Sequence, residues 1–391
     1  MLKTSGTHIV DEHGKRITLK GINIGGWLMM EGYMLGGRNI PEHLFKKELA
    51  RLHGKNAPLE FTKLFRDSYF SKEDVKRIKN LGFNCVRLPF NHRLLEEKNG
   101  LSYLKKTVRL FAQQGLYVIL DMHAVPGSQN IDWHSDSDGR ALFWQRPGYR
   151  NQYIKLWKKL SSAFKSEKMI AGYDVMNEPV TDNIPLLTKT FQKVISAVRG
   201  QGDRHIIFVE GNNWGMDTDY IESLKDDNLA VSIHYYRPVE YTFNWLPGLK
   251  YPGRVLGKLW NKKEMEKLIK DSVRFANKLK KPLFCGEFGV ASRCDLCGAE
   301  YRWVDDVLSL FKKYGIHWTY WTYKSVKGVP LPDGVFQLSD ASGIIGNAAT
   351  KTGMDNFYGI YGSRKKDLFT LLSTDNFVLN KKLFAVAKKY L

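Results

Sequence analysis

The sequence predicts an α/β fold made of one (β/α)8 barrel, a TIM barrel, with extended loops at its rim. Two observations lead to this prediction: eight strand-like runs alternate with amphipathic segments, and nearly every run ends in polar or aromatic residues. An open doubly wound sheet also alternates strands with helices, but it does not explain why polar residues collect at the C-terminal strand ends, which form the functional rim of a barrel. No linker or internal repeat divides the 391 residues, so we predict a single domain over residues 1–391.

The predicted strands are runs of β-branched and aromatic residues bounded by turn residues. The eight runs are Ile17–Trp27, Asn84–Phe90, Tyr117–Ala124, Ile170–Glu178, His205–Asn212, Leu229–Tyr236, Pro282–Gly289 and His317–Tyr323. Most runs are followed by segments with apolar residues at helical spacing. These predicted helices are Lys72–Leu81, Tyr103–Gln114, Tyr149–Phe164, Pro185–Val198, Lys263–Leu279 and Tyr301–Tyr314. Ser71 and Asn261 stand just before two of them, where a helix N-cap is expected.

Two segments between these elements are longer than an ordinary loop between a strand and a helix. They are Val125–Trp144, after the third strand, and Lys324–Asp375, after the eighth. Because long loops at the rim of a barrel form the walls of its cleft, we expect both to line a binding site. The last stretch, Asn376–Leu391, is amphipathic, and we predict that it forms the closing helix.

The chain carries a formal net charge of +20, with 60 Lys and Arg residues against 40 Asp and Glu residues. A surplus of this size attracts anions, but the positive residues are spaced like the solvated faces of helices and not as one stripe with stacking aromatics. We therefore predict no nucleic-acid partner. No apolar run reaches the roughly 18 residues that span a bilayer, and the N-terminus lacks a signal-peptide pattern. We expect a soluble monomer without a membrane partner, cytoplasmic as written or secreted if a leader has been removed.

Four cysteines are present, two in apolar strand-like runs and two in a CxxC motif. Cys85 and Cys285 are predicted to be small buried core residues. Cys294 and Cys297 lack the second pair that a zinc site usually requires, which favours a local disulfide or two free thiols over a metal site. Alternating acidic residues and a histidine at positions 132–136 lie in a loop and make a poor cage, so we predict neither a metal nor a cofactor.

Polar and aromatic side chains stand at the C-terminal ends of the predicted strands. They are Trp27, Arg87, His123, Asn177, Glu178, Asn212, His234, Tyr236, Glu287 and Trp321. Because alternate residues of a strand share a face, we expect Cys85 to share a face with Arg87, and Cys285 with Glu287. Apolar rows then fill the interior of the barrel, and the polar strand ends meet at its mouth.

The fourth and seventh strands both end in a glutamate, Glu178 in Asn-Glu-Pro and Glu287 in Gly-Glu-Phe. Cleavage of a glycosidic bond with retention needs two carboxyl groups roughly 5–5.5 Å apart, one protonated to serve the leaving oxygen and one ionised to attack the anomeric carbon. Strand ends that face each other across a barrel mouth supply this geometry. We therefore predict that Glu178 and Glu287 form a catalytic pair of this kind.

These motifs resemble those of glycoside hydrolase family 5, in the clan whose catalytic glutamates end strands four and seven. The resemblance covers nearly the whole chain, from Gly21–Trp27 to Trp321–Tyr323. The matching fragments between them are Val86–Phe90, Asp121–Gly127, Asn177–Pro179, Ser232–Tyr236 and Gly286–Gly289. The eight usual active-site positions of the family fall on Arg87, His123, Asn177, Glu178, His234, Tyr236, Glu287 and Trp321, and none is substituted.

The resemblance implies that Glu178 is the general acid/base and Glu287 the nucleophile, and we expect the nearby charge of Glu287 to raise the pKa of Glu178. It also implies a role for each supporting position. Arg87 and Tyr236 are expected to stabilise the charge of the nucleophile, and His234 to steer the proton of the acid/base. Asn177 is expected to bind the sugar 2-hydroxyl, an interaction that strengthens in the transition state, and His123 to bind other hydroxyls.

Residues around this core are assigned to substrate binding. Trp321 offers an apolar platform for the sugar ring. Glu31 matches a residue that binds the terminal sugar in relatives that clip β-1,3-glucan from its end, and Ser128–Asn130 resembles the same branch. Trp133 and Trp214 lie in or near rim loops and are predicted to stack on further sugars.

The resemblance implies a retaining β-glycosidase acting on an oligo- or polysaccharide. Endo-β-1,4-glucan hydrolysis, as in cellulases, is the first choice. Exo-β-1,3-glucanase, β-mannanase and β-glucosidase or glycolipid glycosidase activities are alternatives on the same machinery. A transglycosylase and a non-catalytic carbohydrate-binding barrel are further alternatives, although the latter predicts a lost carboxylate and this sequence keeps both.

Overall fold

Eight parallel strands close into a barrel in this computed structural model. In chain order the strands are Lys20–Asn23, Cys85–Asn91, Tyr117–Ala124, Ile170–Asp174, Ile206–Glu210, Leu229–His234, Leu283–Glu287 and His317–Tyr320. The eighth strand pairs with the first, with Trp318 opposite Lys20, and this closes the sheet. The predicted (β/α)8 fold and all eight predicted strands are confirmed. The structure describes residues 1–36, 38–291, 298–327, 331–338 and 354–391.

Apolar side chains fill the barrel interior below the mouth and continue into the N-terminal segment. A short hairpin pairs the strands Lys3–Ser5 and His8–Val10. Leu2 and Ile9 belong to the same buried cluster as Ile119 of the third barrel strand. The hairpin, which the sequence analysis did not predict, therefore packs against the N-terminal end of the barrel, opposite the rim.

Helices surround the barrel and connect its strands. They are Glu42–His53, Ala57–Tyr69, Lys72–Asn80, Gly100–Gln113, Leu142–Gln145, Pro147–Phe164, Ile184–Arg199, Asn212–Gly215, Val239–Thr242, Lys262–Lys278, Ala299–Tyr314, Met354–Ser363, Lys365–Leu371 and Lys381–Lys388. All six predicted helices are among them. Within the described residues, no helix has the length and apolar character needed to cross a membrane.

Side-chain caps begin two of these helices as predicted. Ser71 Oγ accepts a hydrogen bond from the backbone N–H of Asp74, whose carboxylate accepts from the Ser71 N–H in return. This reciprocal pair is a capping box, which satisfies two otherwise unpaired helix donors. Asn261 Oδ1 accepts from the Glu264 N–H at 3.0 Å and caps the helix before the seventh strand.

The segment after the eighth strand contains more regular structure than predicted. The strands Lys324–Val326 and Phe336–Leu338 join Val378–Leu379 in a three-stranded sheet. Two helices, Met354–Ser363 and Lys365–Leu371, follow the second strand. The prediction of a loop in this region was wrong for its described parts, because short strands far apart in sequence pair with one another. The predicted closing helix is confirmed but begins later than the amphipathic stretch.

The cysteines of the barrel strands differ in the face they occupy. Cys85 and Cys285 are both buried with free thiols, as predicted. Cys85 lies in the interior cluster below Arg87, but Cys285 packs in the outer core between strands and helices. The prediction that Cys285 shares a face with Glu287 was wrong, because the register of the seventh strand shifts between these two residues. The CxxC motif lies outside the described residues.

A buried lysine joins the eighth strand region to the C-terminal segment. Lys324 Nζ donates hydrogen bonds to the carbonyl oxygen of Leu372 at 2.7 Å and to Thr374 Oγ1 at 3.0 Å. The same nitrogen lies over the rings of Tyr69 and Phe377, 4.2 Å and 4.8 Å from their centroids. Burial lowers the pKa of Lys324 to about 7.

We expect Lys324→Met to change how stability depends on pH. The unfolded amine titrates near its ordinary pKa of ~10.4. Between about pH 7 and that value the unfolded state binds the extra proton, so this group makes wild-type stability rise by up to ~1.4 kcal/mol per pH unit. The variant lacks this contribution, so the difference in unfolding free energy between wild type and variant should grow as the pH rises. Thermal unfolding across this range measures it, with the exposed Lys63→Met as control; a constant difference would contradict it.

Candidate active site

The two glutamates predicted at the ends of the fourth and seventh strands face each other at the mouth of the barrel. Glu287 is the last residue of its strand, and Glu178 follows the fourth strand with a left-handed φ of 45°. One carboxylate oxygen of each and a ring nitrogen of His234 all lie within 4.8 Å of one another. Both glutamates keep some contact with solvent, with 9% of Glu178 and 5% of Glu287 exposed.

One buried guanidinium organises the acidic side chains behind this pair. Arg87, on the second strand, donates to Glu287 Oε1 at 2.7 Å. It also donates to Asp174 Oδ2 and to Glu210 Oε1, both at 2.9 Å. Asp121 Oδ2 lies 3.1 Å from the same group. Because a guanidinium presents its donors in a fixed plane, this one side chain sets the relative positions of carboxyl groups from four strands.

The protonation of this cluster is uneven. Four carboxyl groups around one cation repel one another in a buried site, which favours keeping one of them neutral. Burial, together with the charge of Glu210, holds the pKa of Asp174 well above its usual range. The ionised form of Asp174 is therefore disfavoured in this cluster. Burial opposes the charge of Arg87, but the surrounding carboxylates raise its pKa and keep it positive.

Glu210 is a site residue that the sequence analysis missed. It ends the fifth strand, whereas the prediction placed the polar end of that strand at Asn212. The Asn212 side chain instead exchanges two hydrogen bonds with the backbone of Thr181 in the neighbouring loop. The sequence did contain a signal for Glu210. Alternation along the strand places Glu210 on the same face as Phe208, which points into the barrel interior, and so predicts that Glu210 also points inward.

Both carboxylate oxygens of Glu178 contact a histidine. Oε1 lies 2.7 Å from His234 Nδ1, and Oε2 lies 2.9 Å from His134 Nε2. Burial by itself raises the pKa of Glu178, but the hydrogen bonds and positive charges of these two rings hold it well below its usual range. The predicted raised pKa was therefore wrong, because two imidazoles and not Glu287 are the nearest neighbours.

The carboxylate of Glu287 also has a donor on each oxygen. Tyr236 Oη donates to Oε2 at 2.9 Å, and Arg87 donates to Oε1. Charge-assisted hydrogen bonds of this kind favour the ionised form and fix the orientation of the carboxylate. The structure therefore brings Arg87 and Tyr236 together at the side chain that the sequence assigned as the nucleophile.

One wall beside the glutamate pair is made of His123, Asn177 and Trp321. His123 Nδ1 lies 2.7 Å from Asp121 Oδ2, which sets the ring so that Nε2 faces Asn177 Nδ2 at 3.5 Å. Asn177 Oδ1 accepts from Arg87 at 2.8 Å, so its amide N–H groups are turned the other way. The His123 ring stacks on Trp321, with centroids 5.5 Å apart and planes at 7°. This wall offers a ring face and hydrogen-bonding groups, as sugar binding requires.

Glu31 adds a carboxyl group to the same wall. It is buried, and its Oε1 has no hydrogen-bond partner among the described residues. The nearest ring nitrogen, His123 Nε2, is 3.9 Å away. Trp321 is held in place next to it, because its Nε1 donates to Tyr33 Oη at 2.6 Å. Burial raises the pKa of Glu31 to about 7.

Known proteins share this fold and the sequence pattern of its family. The family model described as Cellulase (glycosyl hydrolase family 5) matches residues 51–327. The chain belongs to glycoside hydrolase family 5. The predicted resemblance is thereby confirmed, and the protein is a glycoside hydrolase.

The relatives of this chain are named for different glycosidase activities. The family 5 chain is 29% identical over 345 residues to a beta-xylosidase of Phanerodontia chrysosporium, covering 83% of this chain and 71% of that one. It is 25% identical over 306 residues to Endoglucanase C of Acetivibrio thermocellus, covering 68% and 87%. It is 26% identical over 320 residues to Glucan 1,3-beta-glucosidase 2 of Schizosaccharomyces pombe, covering 71% and 50%. Cel5A of Thermotoga maritima, solved in complex with mannotriose, has the same fold, with a TM-score of 0.61, 17% identity and coverage of 95% and 97%.

The predicted rim tryptophans of this family 5 chain both make contacts in the loop at positions 132–134. Trp214 Nε1 donates to Asp132 Oδ2 at 2.8 Å. Trp214 and Asn213 both have left-handed backbones, with φ of 57° and 55°, which cost about 1–3 kcal/mol each and persist only where contacts fix them. Trp133 packs edge-on against His134, with centroids 5.8 Å apart. Both tryptophans are half-buried and keep part of their surface at the rim.

Side chains of the segment Ser128–Asn130 hydrogen-bond to the backbone of the site residues. Gln129 Nε2 donates to the carbonyl oxygens of His123 and Asn177, at 2.7 Å and 2.8 Å. Asn130 Nδ2 donates to the carbonyl oxygen of Glu178 at 2.9 Å. These side chains are committed to the backbone of the catalytic strand ends, so they position the site residues.

The metal and cofactor predictions concern two groups of side chains. Ligand atoms of Glu178, His234 and Glu287 are close enough to hold a cation, but each is already engaged in the hydrogen bonds described above. Asp136, in the loop at positions 132–136, pairs with Arg93 at 2.7 Å. That no metal or cofactor is needed stays a prediction, supported by these partners.

Proposed function

We propose that this family 5 enzyme is a retaining β-glycosidase that hydrolyses β-linked glucan by double displacement, with Glu178 as general acid/base and Glu287 as nucleophile. The observation that carries the proposal is the separation of the pair, because oxygens of the two carboxylates lie within 4.8 Å. Retaining enzymes hold these groups roughly 5–5.5 Å apart, whereas inverting enzymes leave roughly 6.5–9.5 Å for a water molecule. The short separation supports direct attack by one carboxylate.

In the first step Glu287 attacks the anomeric carbon. The bond from that carbon to the leaving oxygen breaks while Glu178 gives the leaving oxygen a proton. Arg87 and Tyr236 hold both oxygens of Glu287, so the attacking oxygen is oriented before the sugar arrives. The product of this step is a covalent glycosyl-enzyme and a released alcohol.

In the second step water replaces the enzyme at the anomeric carbon. Glu178, now a carboxylate, takes a proton from the water as the new bond forms, and Glu287 leaves as a carboxylate. Asn177 supports both steps, because Arg87 binds its oxygen and turns its amide nitrogen, which lies 3.5 Å from His123 Nε2, toward the place of the sugar 2-hydroxyl. That hydrogen bond strengthens as positive charge develops on the sugar ring.

For the substrate, endo-β-1,4-glucan is the first choice. The relative named Endoglucanase C supports it, because the chain covers 87% of that protein's length. The half-buried Trp133 and Trp214 add support, since aromatic rings beside the acid/base would stack on sugars of a longer chain beyond the cleavage point.

A second candidate is exo-acting hydrolysis of β-1,3-glucan or of short β-glucosides. The observation that favours it is Glu31, whose buried carboxyl oxygen has no hydrogen-bond partner in the described part of the chain and lies 3.9 Å from His123 Nε2. A buried acceptor of this kind gains most when a terminal sugar hydroxyl donates to it. The relative named Glucan 1,3-beta-glucosidase 2 supports the same mode of action.

We expect Glu287→Ala to lower kcat on aryl β-glucosides by roughly a thousand-fold or more, because the covalent intermediate cannot form. Azide should fill the vacated space and restore turnover, giving a glycosyl azide of inverted configuration. Initial rates and NMR of the product measure both effects. Glu222→Ala, at an exposed glutamate paired with Lys278, is the matched control. A wild-type rate in Glu287→Ala would remove the nucleophile assignment.

Glu178→Ala should affect substrates according to their leaving group. Protonation of a poor leaving group contributes about 10²–10⁴-fold to the rate, whereas a dinitrophenolate needs no proton. We therefore expect kcat/KM to fall by that factor on cello-oligosaccharides and far less on dinitrophenyl β-cellobioside. Equal losses on both substrates would argue against an acid role for Glu178.

Glu31→Gln separates the two modes of action. If Glu31 accepts from a terminal sugar, loss of its charge should lower kcat/KM on laminarin or short oligosaccharides by about 10–100-fold, the value of one charge-assisted hydrogen bond of 1.5–3 kcal/mol. Wild type should then release mainly monosaccharide from chain ends. Chromatography of early products from carboxymethylcellulose and laminarin tests this, and a broad ladder of oligosaccharides unchanged by the substitution would support endo action.

A further inference from the structure

A second histidine, outside the eight family positions, contacts the proposed acid/base. His134 lies in the turn Trp133–Ser135 of the long loop after the third strand. Its Nε2 is 2.9 Å from Glu178 Oε2, the oxygen that His234 does not contact. His134 is partly exposed, whereas the His234 ring is almost completely buried. Of the two rings, His134 is therefore the one nearer to solvent.

The surroundings of His134 fix its ring. Trp133 packs edge-on against it, and the His123 ring lies 5.8 Å away at 64°. Asn130 Nδ2 lies 3.2 Å from His134 Nε2, but it donates to the carbonyl oxygen of Glu178 at 2.9 Å, so it contacts the ring without taking the place of the Nε2 proton. Ser135 Oγ donates to the carbonyl oxygens of Asn130 and Asp132, which holds the turn in shape. These contacts fix the position of the His134 ring, so its contact with Glu178 is well defined.

This contact has a chemical consequence for acid catalysis. A general acid must deliver a proton from one of its carboxyl oxygens to the leaving group. In Glu178 both oxygens already face an imidazole nitrogen within hydrogen-bond distance. The Oε2–Nε2 contact holds one proton between the two groups, as an imidazolium beside a carboxylate or as a carboxylic acid beside a neutral imidazole.

We propose that His134 is a positioning residue for Glu178 that stores the catalytic proton and returns it to Oε2 when the leaving oxygen is bound. The inference rests on the proposed role of Glu178 as acid/base. In glycosylation the proton moves from His134 Nε2 to Glu178 Oε2 and on to the leaving oxygen, while the bond from Glu287 to the anomeric carbon forms. In deglycosylation Glu178 takes a proton from water and passes it back to His134, so the cycle consumes only water.

The charges that face His134 favour storage of a proton at neutral pH. They come from Glu178, from Asp132 of its own loop and from Glu31 of the wall, and the ring of His123 is the other titratable neighbour. Burial lowers the pKa of His134, but the hydrogen bond and charge of Glu178 outweigh it and raise the pKa to about 9. The proton is therefore held below about pH 9 and lost above it.

The test is His134→Gln, which places an amide near the position of Nε2 but does not titrate. We expect kcat/KM on cellobiose or laminaribiose to fall roughly ten-fold or more, with the alkaline limb of its pH profile moved to lower pH by ~1 unit. Activity on a dinitrophenyl glycoside, which needs no proton, should stay within about two-fold of wild type. Arg140→Gln, at an exposed residue of the same loop paired with Asp138, is the matched control and should behave as wild type.

A purely structural role gives a different result. His134→Gln would then keep the wild-type pH profile, or its kcat/KM would fall by the same factor on activated and unactivated substrates. Either outcome overturns the proposal. His134→Ala measures the loss without any hydrogen bond and should move the alkaline limb in the same direction. Glu178→Ala in the same assays distinguishes failure of the His134 inference from failure of the proposed function. If Glu178→Ala is inactive on disaccharides while His134→Gln keeps the wild-type pH profile, only the inference about His134 fails. Wild-type activity in Glu178→Ala would remove the proposed function itself.

Discussion

The buried guanidinium of Arg87 is the interaction on which the rest of the active site depends. It joins carboxyl groups from the third, fourth, fifth and seventh strands, which would repel one another without it. Breaking a buried ion network of this kind by removing one partner costs about 3–5 kcal/mol, because an uncompensated charge remains. The same group also binds the oxygen of Asn177. One guanidinium therefore fixes carboxyl groups from four strands and orients the proposed nucleophile.

The two glutamates have different neighbours, which supports the different roles proposed for them. Glu287 has a guanidinium and a phenol on its oxygens, which are fixed donors that do not exchange protons near neutrality. Glu178 has two imidazoles, and the pKa of His134, raised to about 9, lies below the raised pKa values of the tyrosine and the arginine. This difference in neighbours supports the roles proposed for the two side chains, with Glu287 as a permanent anion and Glu178 as a proton carrier. Backbone position sets where they stand, and the side chains around them set what they do.

The sequence predicted the architecture well because period-two strands and polar strand ends are local signals. Glu178 and Glu287 were found in this way, whereas Glu210 was passed over for a polar residue two positions later. The face of Cys285 was wrong because a register shift inside a strand leaves no mark on residue alternation. The pKa of Glu178 was wrong because His134 is 44 positions away in the sequence, and only folding of the loop brings the two side chains together.

The hydrogen bond from Asn130 to the carbonyl oxygen of Glu178 has a consequence for how this scaffold can diversify. Asn130 lies in the same loop as Trp133, and its hydrogen bond ties that loop to the backbone of Glu178, which is left-handed. An insertion or graft in that loop would alter reactivity along with recognition. Substrate specificity can change more readily in loops that do not hydrogen-bond to the backbone of a site residue. Among homologous barrels, differences in ligand preference should therefore be concentrated in those loops.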